Sequence, residues 1–79
     1  MTREDIFAIV TRHAREVVPT LQQHCFKPGD SLRELGANSI DRSEIVLMTL
    51  ESLSLSIPLV ETARARNIDE LVGVLHAKF

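Results

Sequence analysis

The side chain best placed to carry chemistry is the hydroxyl of Ser39. It follows Gly36-Ala37-Asn38, at the end of a long connection and the start of a strongly patterned helix. An exposed hydroxyl there would lie near free backbone N–H groups and the positive end of the helix dipole, which both stabilise a phosphate linked to the oxygen. Ser and Asn are also favourable N-caps, and capping is the simpler interpretation of these residues taken alone.

The remaining polar residues do not match an enzyme. The three histidines are scattered, without the spacing of metal ligands. His24 and Cys25 are adjacent, but a catalytic Cys–His pair must meet in space and be oriented by a third group. Asp41 and Glu44 are three residues apart, which is typical of a solvated helix face near an N-terminus. The isolated glycines form no phosphate-binding loop. We expect a non-catalytic protein without a metal site.

Length and composition indicate a small globular domain covering residues 1–79. The chain is 44% hydrophobic and carries a net charge of −2, with no Lys/Arg stripe of the kind that binds nucleic acid. A single cysteine excludes an internal disulfide and fits a reducing compartment. We expect no signal peptide in the acidic N-terminus, and no run approaches the ~20 apolar residues of a membrane span. We expect a cytoplasmic protein with neither nucleic-acid nor membrane partners.

Hydrophobic periodicity and capping residues predict an all-α fold. One amphipathic helix covers residues 2–18, and a long connection, 19–38, carries turn signals. A second helix runs from Ser39 to about Leu53, a short helix covers 60–66, and a last helix opens at Asn67 and ends near Ala77. The chain is thus expected to form a bundle of three main helices plus one short helix.

The second helix has two distinct faces when it is plotted at about 100° per residue. Its predicted core face consists of Ile45, Val46, Thr49, Leu50 and Leu53. The opposite face mixes apolar and acidic residues: Ile40, Glu44, Leu47 and Glu51. Such a face suits reversible docking of a partner, although exposed Ile and Leu also occur on ordinary surfaces.

The segment from Leu32 to Asp41 resembles the attachment segment of acyl and peptidyl carrier proteins. In that family a serine in an Asp-Ser-Leu core receives 4′-phosphopantetheine from coenzyme A. The likeness covers nearly the whole chain, including Ile57-Pro58 and the closing helix. It implies a carrier fold, Ser39 as the site of covalent attachment, and a phosphopantetheinyl transferase as a partner.

Two positions depart from the family pattern, since Asn38 replaces aspartate and Ile40 replaces leucine. In the family that aspartate helps to bind the transferase's metal ion, and a neutral amide is a poorer ligand for a hard cation. Modification could therefore be slower or need a dedicated transferase. Arg42 also interrupts the acidic face of the second helix.

Residues 36–45 are most similar to the freestanding donor carriers of bacterial polyketide β-branching cassettes. In that group the carrier holds an acetyl thioester, usually formed by decarboxylation of a malonyl unit. It donates the acetyl group to an enzyme resembling hydroxymethylglutaryl-CoA (HMG-CoA) synthase. The resemblance also implies an acyltransferase and a decarboxylating ketosynthase-like enzyme as partners.

Partner contacts are predicted on the second helix, beside the serine and on the short helix. The candidates are Asn38, Ile40, Asp41, Arg42, Glu44, Leu47, Met48, Glu51, Glu61 and Arg64. We expect a monomer. Two alternatives stay open: a carrier for aminoacyl, fatty acyl or ordinary polyketide extension units, and an interaction module with this fold that is never modified.

Overall fold

The computed structural model describes all residues, 1–79, and contains four α-helices and no strand. They are α1 (Arg3–Val17), α2 (Ser39–Leu53), α3 (Leu59–Thr62) and α4 (Ile68–His76). Three long helices and one short helix agree with the predicted all-α bundle. None of the helices is long and apolar enough to span a membrane.

Helix α1 begins at a complete capping box. The backbone N–H of Asp5 donates to Thr2 Oγ1, and the N–H of Thr2 donates to the Asp5 carboxylate, both at 3.1 Å. The bond from the Thr2 backbone is the main reason why the pKa of Asp5 lies below its usual value. The helix ends before Pro19, whose ring disfavours the helical conformation in the preceding residue. The predicted span of 2–18 is confirmed to within one residue at each end.

The long connection is held by short turns and by apolar anchors. A 3-10 turn covers Pro19–Leu21. Further along, the Leu35 N–H donates to the Ser31 carbonyl at 3.0 Å, which closes the predicted single helical turn. Gly36 then adopts φ +104°, a conformation that side-chain-bearing residues rarely accept. Leu32 is buried and fixes this part of the connection to the core.

Helix α2 buries the face predicted for it. All five predicted core residues are buried, and Ile45 and Thr49 are completely inaccessible to solvent. The Thr49 hydroxyl donates to the Ile45 carbonyl at 2.8 Å, so this polar group is hydrogen-bonded within the apolar core. Helix α2 therefore presents one dry face to α1 and leaves the other in solvent.

The predicted span of the short helix, residues 60–66, was wrong. Helix α3 covers only Leu59–Thr62. The Thr62 hydroxyl donates to the Leu59 carbonyl at 2.7 Å, within this single turn. The backbone N–H of Arg66 donates to the Glu70 carboxylate at 2.9 Å and not to the Thr62 carbonyl, which continuation of the helix would require. Residues 63–66 therefore form a turn into the last helix.

Helix α4 starts at the predicted cap, where the Glu70 N–H donates to Asn67 Oδ1 at 2.8 Å. Its other free N–H groups are satisfied by the long connection: Ile68 N–H donates to the Asp30 carbonyl at 2.9 Å, and Asp69 N–H donates to the Pro28 carbonyl at 2.8 Å. These bonds fix the connection across the bundle and bring its residues 31–34 towards α2 and α3.

Candidate attachment site

Asn38, and not Ser39, is the N-cap of α2. Asn38 Oδ1 accepts a hydrogen bond from the Asp41 N–H at 2.8 Å, and the Asn38 N–H donates to the Asp41 carboxylate at 3.3 Å. Ser39 is the first residue inside the helix, where it is exposed, and its hydroxyl has no hydrogen-bond partner in the protein. Of the two residues that could have capped α2, Asn38 therefore forms the cap, and the Ser39 side chain takes no part in it.

The surroundings of Ser39 favour an anionic group. The backbone N–H groups of Ser39 and Ile40 have no acceptor within the protein, as expected for the first turn of a helix. They lie at the positive end of the α2 dipole. Arg42, one turn further along, donates through one Nη atom to the Ala37 carbonyl at 2.8 Å, which leaves other guanidinium N–H groups available. A phosphate ester on Ser39 therefore fits the residues that surround it.

The exposed face of α2 matches its predicted pattern. Ile40 is 75% exposed and Leu47 is 53% exposed, and the carboxylates of Glu44 and Glu51 lie between and beyond them in solvent. Met48 is only half-buried, at the border between this face and the core. We call Ile40, Glu44, Leu47 and Glu51 the outer face of α2.

The other predicted contact residues are more restricted by the fold. Asp41 is half-buried, with its carboxylate bound at the cap, and Arg42 is held at the Ala37 carbonyl. Glu61 forms an ion pair with Lys78 Nζ at 2.7 Å, whereas Arg64 is exposed. The predicted site residues therefore form two groups, one on the outer face of α2 and one around its N-terminus and α3.

A groove of about 750 Å³ lies between α2, the end of the long connection and the segment from α3 to α4. Ser39 lines it together with Arg42 and Arg64. Two further arginines, Arg33 and Arg66, line the same groove and were not recognised in the sequence. No local sequence signal could reveal them, because they lie more than thirty positions apart and line the same groove only in the folded protein.

Two of the three histidines form side-chain hydrogen bonds. His24 Nε2 lies 2.9 Å from the Asp30 carboxylate, and this hydrogen bond is the largest reason why the pKa of Asp30 is lowered. His13 is buried, with Nε2 at 2.8 Å from the Ser52 hydroxyl, and Cys25 is exposed. These groups lie away from Ser39 in the chain and none of them lines the groove.

An α-helical bundle with an exposed serine at the start of its second long helix is the arrangement of an acyl carrier protein. No protein-family model matches the chain. The chain is, however, 47% identical over 78 residues to the polyketide biosynthesis acyl-carrier-protein AcpK of Bacillus subtilis (strain 168), covering 99% of this chain and 95% of that protein. It therefore belongs to the acyl carrier proteins of polyketide biosynthesis.

A solved structure supports a narrower likeness. The crystal structure of the curacin biosynthetic pathway HMG synthase in complex with acetyl donor-ACP contains a chain of the same fold, with a TM-score of 0.93 and 42% identity. The match covers 98% of this chain and 99% of the other. The predicted resemblance to donor carriers of polyketide β-branching is confirmed by these two relatives.

Proposed function

We propose that Ser39 carries 4′-phosphopantetheine and that the protein donates an acetyl group to an HMG-CoA-synthase-like enzyme during polyketide β-branching. The observation that carries this proposal is the exposed Ser39 hydroxyl, which is free of any capping role because Asn38 is the cap. The attached group would supply a thiol that holds the acyl group as a thioester.

The residues around Ser39 would position the arm and contribute nothing to bond-making. The N–H groups of Ser39 and Ile40 and the guanidinium of Arg42 would stabilise the phosphodiester. An acyl group tethered to a mobile protein is present at a high effective concentration in each partner's active site. The partner enzymes supply the chemistry.

The outer face of α2 is the proposed docking surface. Apolar Ile40 and Leu47 would be buried on contact, while Glu44 and Glu51 would steer association with a basic partner surface. A small surface with exposed charges binds reversibly and is sensitive to salt, which suits a protein that must leave each enzyme after delivery. Proposed partners are the phosphopantetheinyl transferase, an acyltransferase, a decarboxylating ketosynthase-like enzyme and the HMG-CoA-synthase-like enzyme.

Attachment is tested by intact-protein mass spectrometry after incubation with coenzyme A and a broad-specificity phosphopantetheinyl transferase. We expect the parent protein to gain the mass of one phosphopantetheine group and the Ser39→Ala variant to gain none. If the folded parent protein gains no mass with several transferases, it is an unmodified interaction module instead.

The cargo is tested by offering malonyl-CoA or amino acids together with the matching loading enzymes. We expect loading from malonyl-CoA with the acyltransferase, and acetyl transfer to the HMG-CoA-synthase-like enzyme after decarboxylation. Efficient aminoacyl loading, or failure to acylate the synthase from an authentic acetyl-loaded carrier, would contradict the donor role while leaving the attachment site intact.

A further inference from the structure

The charge of the groove beside Ser39 is opposite to that of the protein. The chain carries a net charge of −2. The groove, however, is lined by four arginines and one acidic residue, Glu34. The arginines are Arg33, Arg42, Arg64 and Arg66. They come from the long connection, α2 and the turn between α3 and α4, so the positive charge is assembled from three parts of the chain.

These arginines form no ion pairs within the protein. Three of the five basic residues elsewhere do: Arg3 lies 3.0 Å from Asp69, Arg12 lies 3.8 Å from Glu16 and Lys78 lies 2.7 Å from Glu61. Arg42 donates one hydrogen bond to a backbone carbonyl, and its remaining N–H groups are free. The groove therefore presents unneutralised guanidinium groups, which bind carboxylate and phosphate oxygens in a planar, two-point geometry.

The groove is large enough to hold a small acyl group. Its volume, about 750 Å³, is within the range of small-molecule pockets. Buried apolar side chains, among them Leu32, Val46 and Leu71, line it together with the arginines. Ser39 belongs to the same lining, so a group tethered to its hydroxyl would enter the groove at high effective concentration.

We propose that the groove binds the free carboxylate of a malonyl-type acyl group carried from Ser39 and does not hold an acetyl group. This inference rests on the proposed attachment at Ser39. A malonyl thioester ends in a carboxylate that can pair with Arg33, Arg64 or Arg66, whereas an acetyl thioester has no charge and little apolar surface to bury. Arg42, three residues after the attachment point, would pair instead with the other anion, the phosphodiester.

The consequence is a carrier that distinguishes its cargo by charge. A malonyl group is retained against the protein by its carboxylate. Decarboxylation releases the carboxylate as CO₂, and the remaining carbon takes up a proton. The resulting acetyl group has no charge and no longer pairs with the arginines. It is then free to enter the active site of the acetyl acceptor enzyme.

The test compares three forms of the protein, made by a promiscuous transferase from coenzyme A, acetyl-CoA and malonyl-CoA. Two-dimensional ¹H–¹⁵N NMR, including the arginine Nε–Hε signals, reports on each form at low salt. We expect shifts at Arg33, Arg64 and Arg66 in the malonyl form alone, decreasing as salt is added. Arg64→Gln and Arg66→Gln should each lower the bound population by about two- to fivefold. Arg12→Gln, on α1, is the matched control and should leave the population unchanged.

The outcomes separate this inference from the proposed function. Equal arginine shifts in all three forms would show that the groove serves the phosphodiester, and would overturn the inference. Identical spectra for the malonyl and acetyl forms, with correct masses, would also overturn it while leaving the carrier function intact. If no form gains mass, attachment at Ser39 and this inference are both wrong.

Discussion

The assignment of the α2 cap to Asn38 gives a test that separates stability from modification. Replacing Asn38 by alanine removes the acceptor that lies 2.8 Å from the Asp41 N–H, and leaves that N–H without a protein partner. Loss of an N-cap side chain costs about 1 kcal/mol, within a range of about 0.5–2 kcal/mol. For a domain of this size 1 kcal/mol corresponds to a fall in Tm of roughly 4–8 °C.

Replacing Ser39 by alanine should leave the stability of the protein nearly unchanged and abolish its modification. The side chain is exposed and its hydroxyl has no hydrogen-bond partner, so no contact is lost. Alanine is also a better helix former than serine. We therefore expect the free energy of unfolding to change by less than about 0.5 kcal/mol, while phosphopantetheine attachment is lost completely.

The assay is urea unfolding followed by circular dichroism, combined with intact mass after transferase treatment, on both variants and the parent. Asn38→Ala should be less stable and still be modified; Ser39→Ala should be stable and unmodified. Asn38→Asp keeps a capping oxygen and restores the carboxylate typical of the family, so its modification should be faster than that of the parent. A Ser39→Ala variant that loses more stability than Asn38→Ala would refute the assignment of the cap.

Further predictions concern the glycine turn, the core and acid stability. Gly36→Ala should cost about 1–2 kcal/mol because φ is +104°, measurable by urea unfolding. Ile45→Ala, at a completely buried site, should lower the free energy of unfolding by about 2–5 kcal/mol. Leu47→Ala, at a site that is 53% exposed, should lower it by about 0.5 kcal/mol or less and weaken partner binding instead. Equal losses of stability in the two variants would contradict the orientation of α2. The pKa of Asp30 is lowered, mainly by its hydrogen bond to His24. Its stabilising contribution is therefore complete above the unfolded-state pKa of about 3.9 and is lost as the pH falls through the lower folded-state value. Asp30→Asn should flatten the loss of stability in that range, as measured by unfolding at a series of pH values; an unchanged acid profile would contradict this.

The helices and their faces could be predicted from the sequence because their signals are local. A cap and its partner are three residues apart, as in Thr2 with Asp5 and Asn67 with Glu70. The core face of α2 follows from a spacing of three and four residues, and Thr49 fits it because its hydroxyl bonds to the preceding turn. Ser39 was also predicted from the sequence as the attachment site, by its position and by resemblance, and this stays a prediction.

The end of α3 was missed although its signal is local, since the N–H of Arg66 is taken by the Glu70 carboxylate only four residues along the chain. The arginine groove, in contrast, depended on the tertiary structure. Arg33 and Arg66 line one groove because the carbonyls of Pro28 and Asp30 accept hydrogen bonds from the first turn of α4. Periodicity and capping act over single helical turns and so determined the elements, whereas the charge beside Ser39 arises from long-range packing, which only the folded chain decides.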